Sequence, residues 1–470
     1  MRSGNTGRGA DGGPSGGGGR PGAGPSGGDG RTGELSRSLS LRDLIVYGLL
    51  FIGPLAPVGV YGVLDAKSVG AVAAVYVIAT IAMGFTAYSY AAMSREIPHA
   101  GSVFAYASAG LGRPAGFLAG WLAMLDYLLI PSVAYLFCGI ALHSVVPSVP
   151  AWVFTVVAFA ITTAVNLAGV RIAARVGFVV IVVEVVLLVV FVVASLVALA
   201  VEGPARPWDA PFLGTGGSSL TLVMGAVSVA VLSYLGFDAI ASFAEENAGD
   251  SRQVGRAILF CLVLAGLLFV VQTYLAGLLM PMTPQELAAR PANQGTAFYT
   301  MTDAAIGPWL SKAFAVVKGI GPAFSAMTAV AAASRLLYGM ARDRGLPGAL
   351  SKVDERSRVP RTALLTTAAL TLVVSVWAAR RDDGLDVLVS IVDIGALAAF
   401  TMLHASVVGY FVRRKGSRAW SRHLAVPVLG AAVAIWIIVL ASPLAKVVGL
   451  VWLVLGVVFL LVQRVRRPAV

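Results

Sequence analysis

Long, almost uncharged apolar runs dominate the sequence and are separated by short polar stretches. Each run has about 18 residues or more, which lets an α-helix cross the roughly 30 Å hydrocarbon core of a bilayer. Hydrophobic residues make up 58% of the 470 residues and charged residues only 12%. A soluble fold could not bury that much apolar surface. The pattern therefore predicts an all-α integral membrane protein without a soluble domain.

The runs divide the chain into a tail and a membrane domain. Residues 1–40 are rich in Gly, Pro and Ser, so we expect a disordered tail. The tail has no apolar stretch typical of a secretory signal, and the first run is therefore retained as span 1 of a single transporter-sized domain, 41–470. The twelve predicted transmembrane spans are 42–64, 69–94, 115–143, 151–168, 174–200, 220–244, 255–280, 309–338, 361–379, 384–411, 424–442 and 445–463.

The positions of the basic residues predict the topology. Most of the 35 Lys and Arg residues lie in the tail, in the C-terminal segment and in alternate loops. An even number of spans places all of these on one side, which the positive-inside rule identifies as cytoplasmic. We therefore expect both termini in the cytoplasm of a bacterial cell membrane. This distribution explains the basic excess without nucleic-acid binding. In the long outer stretch 281–308, Thr283 followed by Pro284 predicts the start of a short helix.

Span 1 is interrupted near its centre by Gly53, Pro54, Ala56, Pro57 and Gly59. Each proline removes a backbone N–H and clashes with the carbonyl four residues earlier, so a continuous helix is costly there. In lipid the freed carbonyls need partners, and such a break must be buried in protein or line a watery cavity. A kink that only helps packing is the alternative. The clustering of two prolines and two glycines favours a functional break.

Span 6 is interrupted by Tyr234, Gly236, Phe237 and Asp238. With five spans per unit, span 6 begins on the opposite side from span 1, so 42–200 and 220–411 would form two inverted repeats whose first helices are both broken. Spans 11 and 12, 424–463, would follow them. Broken helices at corresponding positions of two repeats are typical of the midplane substrate site of a transporter.

Five charged residues fall inside predicted spans and away from their ends, namely Asp126, Glu184, Asp238, Lys318 and Asp393. Each costs on the order of 2.5–3.5 kcal/mol if it faces lipid at the centre of the bilayer, so each is a candidate for coupling, binding or pairing. Counting residues from the span ends places Lys318 and Asp393 at similar depth and favours their pairing. The same count places Glu184 at another level, where it could carry a proton.

Asp126 is the first candidate for contact with a substrate cation, since the ring of Tyr127 beside it offers a cation–π contact. A carboxylate satisfied by neighbouring helix backbone is the alternative. Span 6 ends in three acids, Glu245, Glu246 and Asp250, and the next span begins with Arg252 and Arg256. This pattern is typical of solvated surface, with an inner gate as the alternative. Neither the four histidines nor the two cysteines have metal-ligand spacing. We therefore expect no metal and no cofactor.

These residues resemble the amino acid, polyamine and organocation permease superfamily, and within it the putrescine-importer-like branch. The stretches that carry the resemblance are Pro98-His99-Ala100-Gly101-Ser102, Gly116-Phe117, Gly120-Trp121, Leu125-Asp126-Tyr127-Leu128, Ser233-Tyr234-Leu235-Gly236-Phe237-Asp238-Ala239, Glu245-Glu246, Ala333-Ser334-Arg335-Leu336-Leu337-Tyr338, Met340-Ala341-Arg342-Asp343 and Gly449-Leu450-Val451-Trp452. Their order and spacing are more specific for the superfamily than for a substrate.

The resemblance implies a LeuT-like fold of five plus five inverted spans, alternating access, and a substrate held between broken helices 1 and 6 with spans 3, 8 and 10 around it. Carriers of amino acids in this superfamily often have a Gly-Ser-Gly-like stretch whose N–H groups bind the substrate carboxylate. Here the stretch contains Pro54 and Pro57, which supply no such donors. This departure favours an amine without an essential carboxylate, such as putrescine.

The sequence thus predicts a permease, not an enzyme, that imports a polyamine or an amino acid. No sodium ligand set is legible, and the charge of Lys318 could replace a bound ion, so protons are the expected coupling ion, with exchange as the alternative. A neutral or cationic amino acid exchanger remains open. An ion channel would need a repeated pore segment or rings of like residues. An enzyme would need catalytic residues clustered near one face of the membrane. Neither pattern is present. The sequence does not predict an oligomeric state.

Overall fold

Long helices build nearly all of the protein that the structure describes. The computed structural model describes residues 37–98, 102–146, 148–167, 170–343, 345–354, 357, 359–381, 384–441 and 443–466. Within these ranges ten helical segments are long and apolar enough to cross a membrane, and the pair Leu41–Ile52 and Ala56–Ser68, bent by 41°, makes an eleventh. The expected all-α membrane architecture is confirmed at this level.

Every predicted span coincides with a helix or with a chain of short helical pieces. The fourth span is a helix of 17 residues, shorter than the ten others. The helices are α1 (Leu41–Ile52), α2 (Ala56–Ser68), α3 (Val72–Glu96), α4 (Val103–Leu111), α5 (Arg113–Val145), α6 (Ala151–Leu167), α7 (Val170–Glu202), α8 (Ala210–Leu213), α9 (Leu220–Ala230), α10 (Arg252–Leu279), α11 (Pro284–Ala289), α12 (Pro291–Gln294), α13 (Ala297–Ala305), α14 (Pro308–Arg342), α15 (Arg361–Ala379), α16 (Gly384–Val407), α17 (Val426–Leu440) and α18 (Pro443–Arg466).

Shorter helical turns complete some of the spans. Val231–Tyr234 and Asp238–Glu246 are 3₁₀ turns that continue α9, while Val408–Arg414 and Ser421–Ala425 are π-helical turns that follow α16 and precede α17. Helix α4, which connects α3 to α5, did not emerge from the sequence pattern. Its nine residues are too few for a span, so it gives no long apolar run to find.

The chain segment before α1 is fixed to the end of span 6. The backbone N–H groups of Ser38 and Leu39 donate to the carbonyl oxygen of Glu246, at 3.0 and 2.9 Å. Ser40 then caps α1, because its hydroxyl accepts from the N–H of Asp43. Most of the tail expected to be disordered, residues 1–36, lies outside the described residues. We call the end of the bundle that carries Leu39 and Glu246 the near side, and the opposite end the far side.

The predicted helix start in the stretch 281–308 is confirmed. Thr283 caps α11 through a capping box, in which its hydroxyl accepts from the N–H of Glu286 at 3.2 Å and the Glu286 carboxylate accepts from the N–H of Thr283 at 2.9 Å. Pro284 occupies the first helical position, where a missing N–H costs nothing. Helix α11 packs against α2 on the far side.

Helices α5 and α14 form the centre of the bundle and pack against each other, while α7, α10, α15, α17 and α18 form its surface. The surface helices expose large apolar side chains, such as Leu267, which is 61% exposed, and Val373, which is 67% exposed. Exposed apolar stripes of this kind suit contact with lipid chains and do not suit water. The buried centre is where the charged and broken elements of the sequence come together.

Candidate functional site

The first break separates α1 from α2. Gly53 has a φ of +76°, a conformation that favours glycine, and the chain leaves the helix there. Pro54 has no N–H, so the carbonyl of Leu50, four residues earlier, loses its helical partner; the hydroxyl of Ser325 on α14 donates to it instead. Pro57 lies in the first turn of α2. A proline is tolerated there, so it starts the second half of the span.

Side chains from two other helices satisfy further carbonyls of the break. Gln272 on α10 donates from Nε2 to the carbonyl oxygen of Pro54 at 3.0 Å. Lys318 on α14 donates from Nζ to the carbonyl oxygen of Leu55 at 3.3 Å. Without Gln272 the Pro54 carbonyl would cost several kcal/mol in the bilayer core, whereas the carbonyl of Leu55 also accepts from the N–H of Val58 at 3.1 Å. The break is thus supported by partners that lie far away in sequence.

The second break lies in span 6, where the helix stops and resumes at Asp238. Leu235 is extended, with a ψ of +131°, and Gly236 has a φ of +120°. A Cβ atom on Gly236 would lie 2.1 Å from the ring of Phe51 on α1, so the close approach of the two broken spans also requires glycine. The carboxylate of Asp238 accepts from the N–H of Gly236 at 3.2 Å.

A cavity of about 100 Å³ lies against the break in span 1. Its walls come from α1, α2, α5, α7, α14 and the segment that follows α9. Among the described residues its lining consists of Phe51, Ile52, Gly53, Leu55, Ala56, Gly59, Val60, Ile130, Val133, Ala134, Phe137, Glu184, Leu232, Ser233, Leu235, Lys318, Pro322 and Ser325. All of these except Glu184 and Lys318 are uncharged, so the charge of the lining rests on that pair.

Glu184 and Lys318 bring opposite charges to the same cavity. Glu184 is 3% exposed, and its Oε2 has no hydrogen-bond partner. Its carboxylate lies against α14, since a Cβ atom on Gly321 would be 2.0 Å from Oε1. In the part of the chain that the structure describes, no ion pair ties either group to a partner of opposite charge. Oε2 of Glu184 therefore remains open to a solute or a proton in the cavity, while Lys318 also donates to the carbonyl oxygen of Leu55.

The depth count that favoured pairing of Lys318 with Asp393 is wrong. Lys318 shares the cavity with Glu184, whereas Asp393 is not part of the described lining. Counting residues from the ends of spans treats every helix as upright and every side chain as a point. The tilt of the helices and the length of the two side chains can offset a difference in membrane depth of two helical turns between Glu184 and Lys318.

Three carboxylates lie together outside the lining of the cavity. The hydroxyl of Tyr127 donates to Oδ2 of Asp238 at 2.7 Å, and that of Tyr90 reaches the same oxygen at 3.5 Å. Asp126, the neighbour of Tyr127, lies within electrostatic range of both Asp238 and Asp393. Asp126 was the first sequence candidate for a substrate cation, and the structure places it in this acidic group.

The cavity brings together five of the sequence-predicted site residues, which are Gly53, Ala56, Gly59, Glu184 and Lys318. The other predicted residues do not belong to its described lining: Pro54, Pro57, Asp126, Tyr127, Tyr234, Gly236, Phe237, Asp238 and Asp393. Tyr234, for example, is fully buried, and its hydroxyl is 2.6 Å from the hydroxyl of Thr80 on α3. It supports the segment before the break in span 6.

Sequence reasoning missed the contribution of α14 beyond Lys318. Pro322 and Ser325 both line the cavity, and Pro322 lies inside the helix, three residues after Gly319 and one after Gly321. The rule that identified the break in span 1, a proline next to glycines in an apolar run, would have drawn attention to this stretch. Phe137 and the other apolar lining residues of α5 carry no comparable signal.

On the near side, two ion pairs join span 6 to α14. Arg335 contacts Glu246 through Nε, 2.7 Å from Oε1, and both side chains are 1% exposed. Arg342 contacts Glu245 at 2.6 Å. The exposed side chains of Asp250 and Arg252 are 3.9 Å apart, and the backbone N–H of Arg252 donates to Oδ1 of Asp250 at 3.2 Å. The sequence favoured solvated surface for these acids, with an inner gate as the alternative, and the structure gives Glu245 and Glu246 partners on α14.

On the far side, Asp65 at the end of α2 forms a bidentate pair with Arg206, with distances of 2.7 and 2.8 Å. Arg206 also donates to the carbonyl oxygen of Met282, and it lies in the loop after α7. Burial by itself would lower the pKa of Arg206, but the hydrogen bond and the charge of Asp65 outweigh burial and raise it. The guanidinium is therefore a fixed charge that ties the second half of span 1 to the far-side loops.

The sequence was compared with known protein families and with characterised proteins. The family described as amino acid permease matches residues 44–467, which is nearly all of the chain after the tail. The low-affinity putrescine importer PlaP of Escherichia coli (strain K12) is 30% identical over 438 residues, which cover 91% of this chain and 93% of the relative.

Other relatives carry different substrates in their names. The branched-chain amino acid permease BcaP of Bacillus subtilis (strain 168) is 25% identical over 464 residues, covering 90% of this chain and 92% of the relative. The vacuolar cationic amino acid transporter 4 of Arabidopsis thaliana is 29% identical over 404 residues, covering 80% of this chain and 63% of the relative. Similarity at this level extends over most of the chain and is shared by transporters of several amines.

Proposed function

The chain belongs to the amino acid permease family, and we propose that it is a secondary active transporter that imports a small amine-bearing solute by alternating access. The solute is a polyamine such as putrescine or an amino acid. The observation that carries the proposal is the cavity of about 100 Å³ at the broken first span, with an unpartnered carboxylate and an ammonium group in its lining. A cavity below the usual 300–1,000 Å³ of ligand pockets suits a solute with few non-hydrogen atoms.

Twelve spans in two inverted repeats of five, followed by two further spans, are the proposed topology of this multi-pass membrane protein. Breaks in both the first and the sixth span support it, because repeats of five place these two spans at corresponding positions. The near side is proposed to be cytoplasmic, since the basic residues of the chain are concentrated in the segments assigned to it. The membrane is proposed to be the bacterial cell membrane.

Alternating access requires contacts on both sides of the cavity that can form and break. The Asp65–Arg206 pair on the far side and the Glu246–Arg335 pair on the near side are of this kind, since each joins a broken span to another part of the bundle. Buried ion pairs are costly to desolvate and specific in geometry, so they suit switching between two packed states better than they suit general stabilisation.

Proton coupling, with exchange as the alternative, is proposed to operate through Glu184 and Lys318. Glu184 is a buried carboxylate whose Oε2 has no hydrogen-bond partner, so it is suited to gain and lose a proton as its surroundings change. Lys318 brings a positive charge to the carbonyl of Leu55 in the broken span.

Purified protein in liposomes provides the test. We expect radiolabelled putrescine or a neutral or basic amino acid to accumulate inside the vesicles when a pH gradient drives protons inward, and a protonophore to abolish this accumulation. Retention of uptake only when the vesicles are preloaded with unlabelled solute would identify an exchanger. Absence of uptake for every amine tested, from protein that elutes as a single species, would contradict the proposed function.

A further inference from the structure

A buried group of acids and tyrosines lies beside the two breaks and has no part in the lining of the cavity. We call it the acid–tyrosine box; its members are Asp126, Asp238, Asp393, Tyr90, Tyr106 and Tyr127. The hydroxyls of Tyr127 and Tyr90 both point to Oδ2 of Asp238. The ring of Tyr106 lies 5.9 Å from that of Tyr90. Helix α16, which carries Asp393, approaches the backbone of Asp126 closely, since a Cβ atom on Gly395 would be 3.1 Å from the Asp126 nitrogen.

The box has unused hydrogen-bonding capacity. Oδ1 of Asp126 and Oδ1 of Asp393 have no hydrogen-bond partner. A neutral side chain adds to this, because the hydroxyl of Tyr106 is also unpartnered, and the residue is fully buried. Buried polar groups are normally satisfied, so three open ones at a single place indicate a ligand that brings hydrogen-bond donors.

The acids of the box also lack a positively charged partner. Among the described residues, no Lys or Arg side chain forms an ion pair with any of its three carboxylates. The other buried ionic groups near the ends of the bundle, Glu246 and Asp65, each have an arginine. Aromatic rings surround the acids, and Phe237 and Phe400 pack edge-on against Tyr90 at 6.2 and 5.9 Å. Carboxylates within an aromatic enclosure suit an ammonium group, which gains both charge pairing and cation–π contacts.

The box lies next to the cavity on its near side. Ile130 to Phe137 of α5 line the cavity, whereas Asp126 and Tyr127 belong to the preceding turn of the same helix, closer to the near side. Phe51 separates the two, because it lines the cavity and its ring is 6.4 Å from that of Tyr127. A solute that leaves the cavity towards the near side therefore reaches the box once Phe51 and its neighbours move.

We propose that the acid–tyrosine box is a second substrate station that binds the ammonium group of a cationic amine and disfavours solutes that carry a carboxylate. This inference rests on the proposed transport function and specifies its substrate class: an amine of net positive charge, with an unbranched diamine as the best match. Zwitterionic amino acids bring a carboxylate towards three acids, and the like charges repel each other in a buried environment.

Competition in liposomes with the unmodified protein tests the substrate class. Putrescine, n-butylamine and γ-aminobutyrate have similar length and differ in whether one end is an ammonium, a methyl or a carboxylate group. We expect γ-aminobutyrate to compete with labelled putrescine at least tenfold more weakly than unlabelled putrescine does, with n-butylamine in between. Equal or stronger competition by γ-aminobutyrate would overturn the inference and leave the proposed transport function in place. Absence of uptake for every amine would instead contradict the proposed function itself.

Asparagine variants test the residues of the box. Asp126→Asn and Asp393→Asn keep the shape of the side chain and remove its charge, so we expect each to weaken putrescine competition at least tenfold and γ-aminobutyrate competition by less. Asp303→Asn is the matched control, because Asp303 is an exposed acid on α13. For a variant that folds but does not transport, putrescine binding is measured instead, as the shift in melting temperature that putrescine causes. An unchanged shift, or an equal loss for all three solutes, would overturn the inference.

Discussion

Trp121 on α5 and Trp452 on α18 donate to each other's backbone: each indole N–H bonds the carbonyl oxygen of the other residue, at 2.8 and 2.7 Å. Their rings stack with centroids 4.7 Å apart. Helix α18 otherwise exposes most of its large apolar side chains. This reciprocal pair therefore connects the last helix to the centre of the bundle.

Replacing Trp452 by phenylalanine tests the importance of this pair. Trp452→Phe keeps a stacking ring and removes the hydrogen bond from the indole N–H to the carbonyl of Trp121. We expect a loss of about 1 kcal/mol of stability, measured as a fall of a few degrees in the melting temperature of the detergent-solubilised protein. Trp436→Phe is the control, since Trp436 on α17 is 48% exposed. Equal shifts for both variants would contradict the structural role.

Gly236 is required by both its backbone and its surroundings. Gly236→Ala forces a Cβ atom to 2.1 Å from the ring of Phe51 and imposes a φ of +120° on alanine. We expect a loss of roughly 2–4 kcal/mol of stability and at least tenfold slower amine uptake. Gly225→Ala in the same span is the matched control, since a Cβ atom there meets nothing within 4 Å. If both variants transport equally well, the two broken spans do not approach each other as described.

Replacing one member of the Glu246–Arg335 pair is expected to lower the stability of the protein more than replacing both. Arg335→Met leaves a buried carboxylate unpaired and should lower stability by about 3–5 kcal/mol. The double variant Glu246→Leu, Arg335→Met removes both charges, so its loss should be smaller than that of Arg335→Met alone. Thermal unfolding of the two single variants and the double variant gives the coupling energy. Additive losses would show that the two side chains do not interact.

Lys318 is expected to couple solute movement to protons. Lys318→Gln removes the fixed charge from the cavity, and we expect pH-driven accumulation of the amine to fall at least tenfold while exchange of labelled for unlabelled solute continues. Lys312→Gln is the matched control, because Lys312 is exposed on the same helix, α14. Retention of full pH-driven accumulation by Lys318→Gln would exclude this residue from coupling.

Several features of the fold were predictable because they depend on neighbouring residues alone. Pro54 and Gly53 break span 1 whatever the rest of the chain does, since proline lacks a donor and glycine permits a positive φ. Thr283, Pro284 and Glu286 start α11 for the same local reason. Glycine, proline and capping signals act over one helical turn, a distance that the sequence shows directly.

The partners of the charged residues were not predictable in this way. Glu246 pairs with Arg335, 89 residues away, and not with the arginines that follow it in sequence. Glu184 and Lys318 share a cavity although a count of depth separated them. Asp126 belongs to the acidic group with Asp238 and does not line the cavity. In each case the sequence identified the unusual residue but not the residue that it meets.

The sequence by itself determined that the chain crosses a membrane many times, and that its first and sixth spans are interrupted. Hydrophobic length, proline and glycine settle these points within a single helix. Only the tertiary structure decided that Lys318 and Ser325 satisfy the first break, and that Glu184 faces the same cavity. The reason is physical: the side chains that meet depend on the rotation, tilt and spacing of packed helices, and these arise from the packing of the whole bundle.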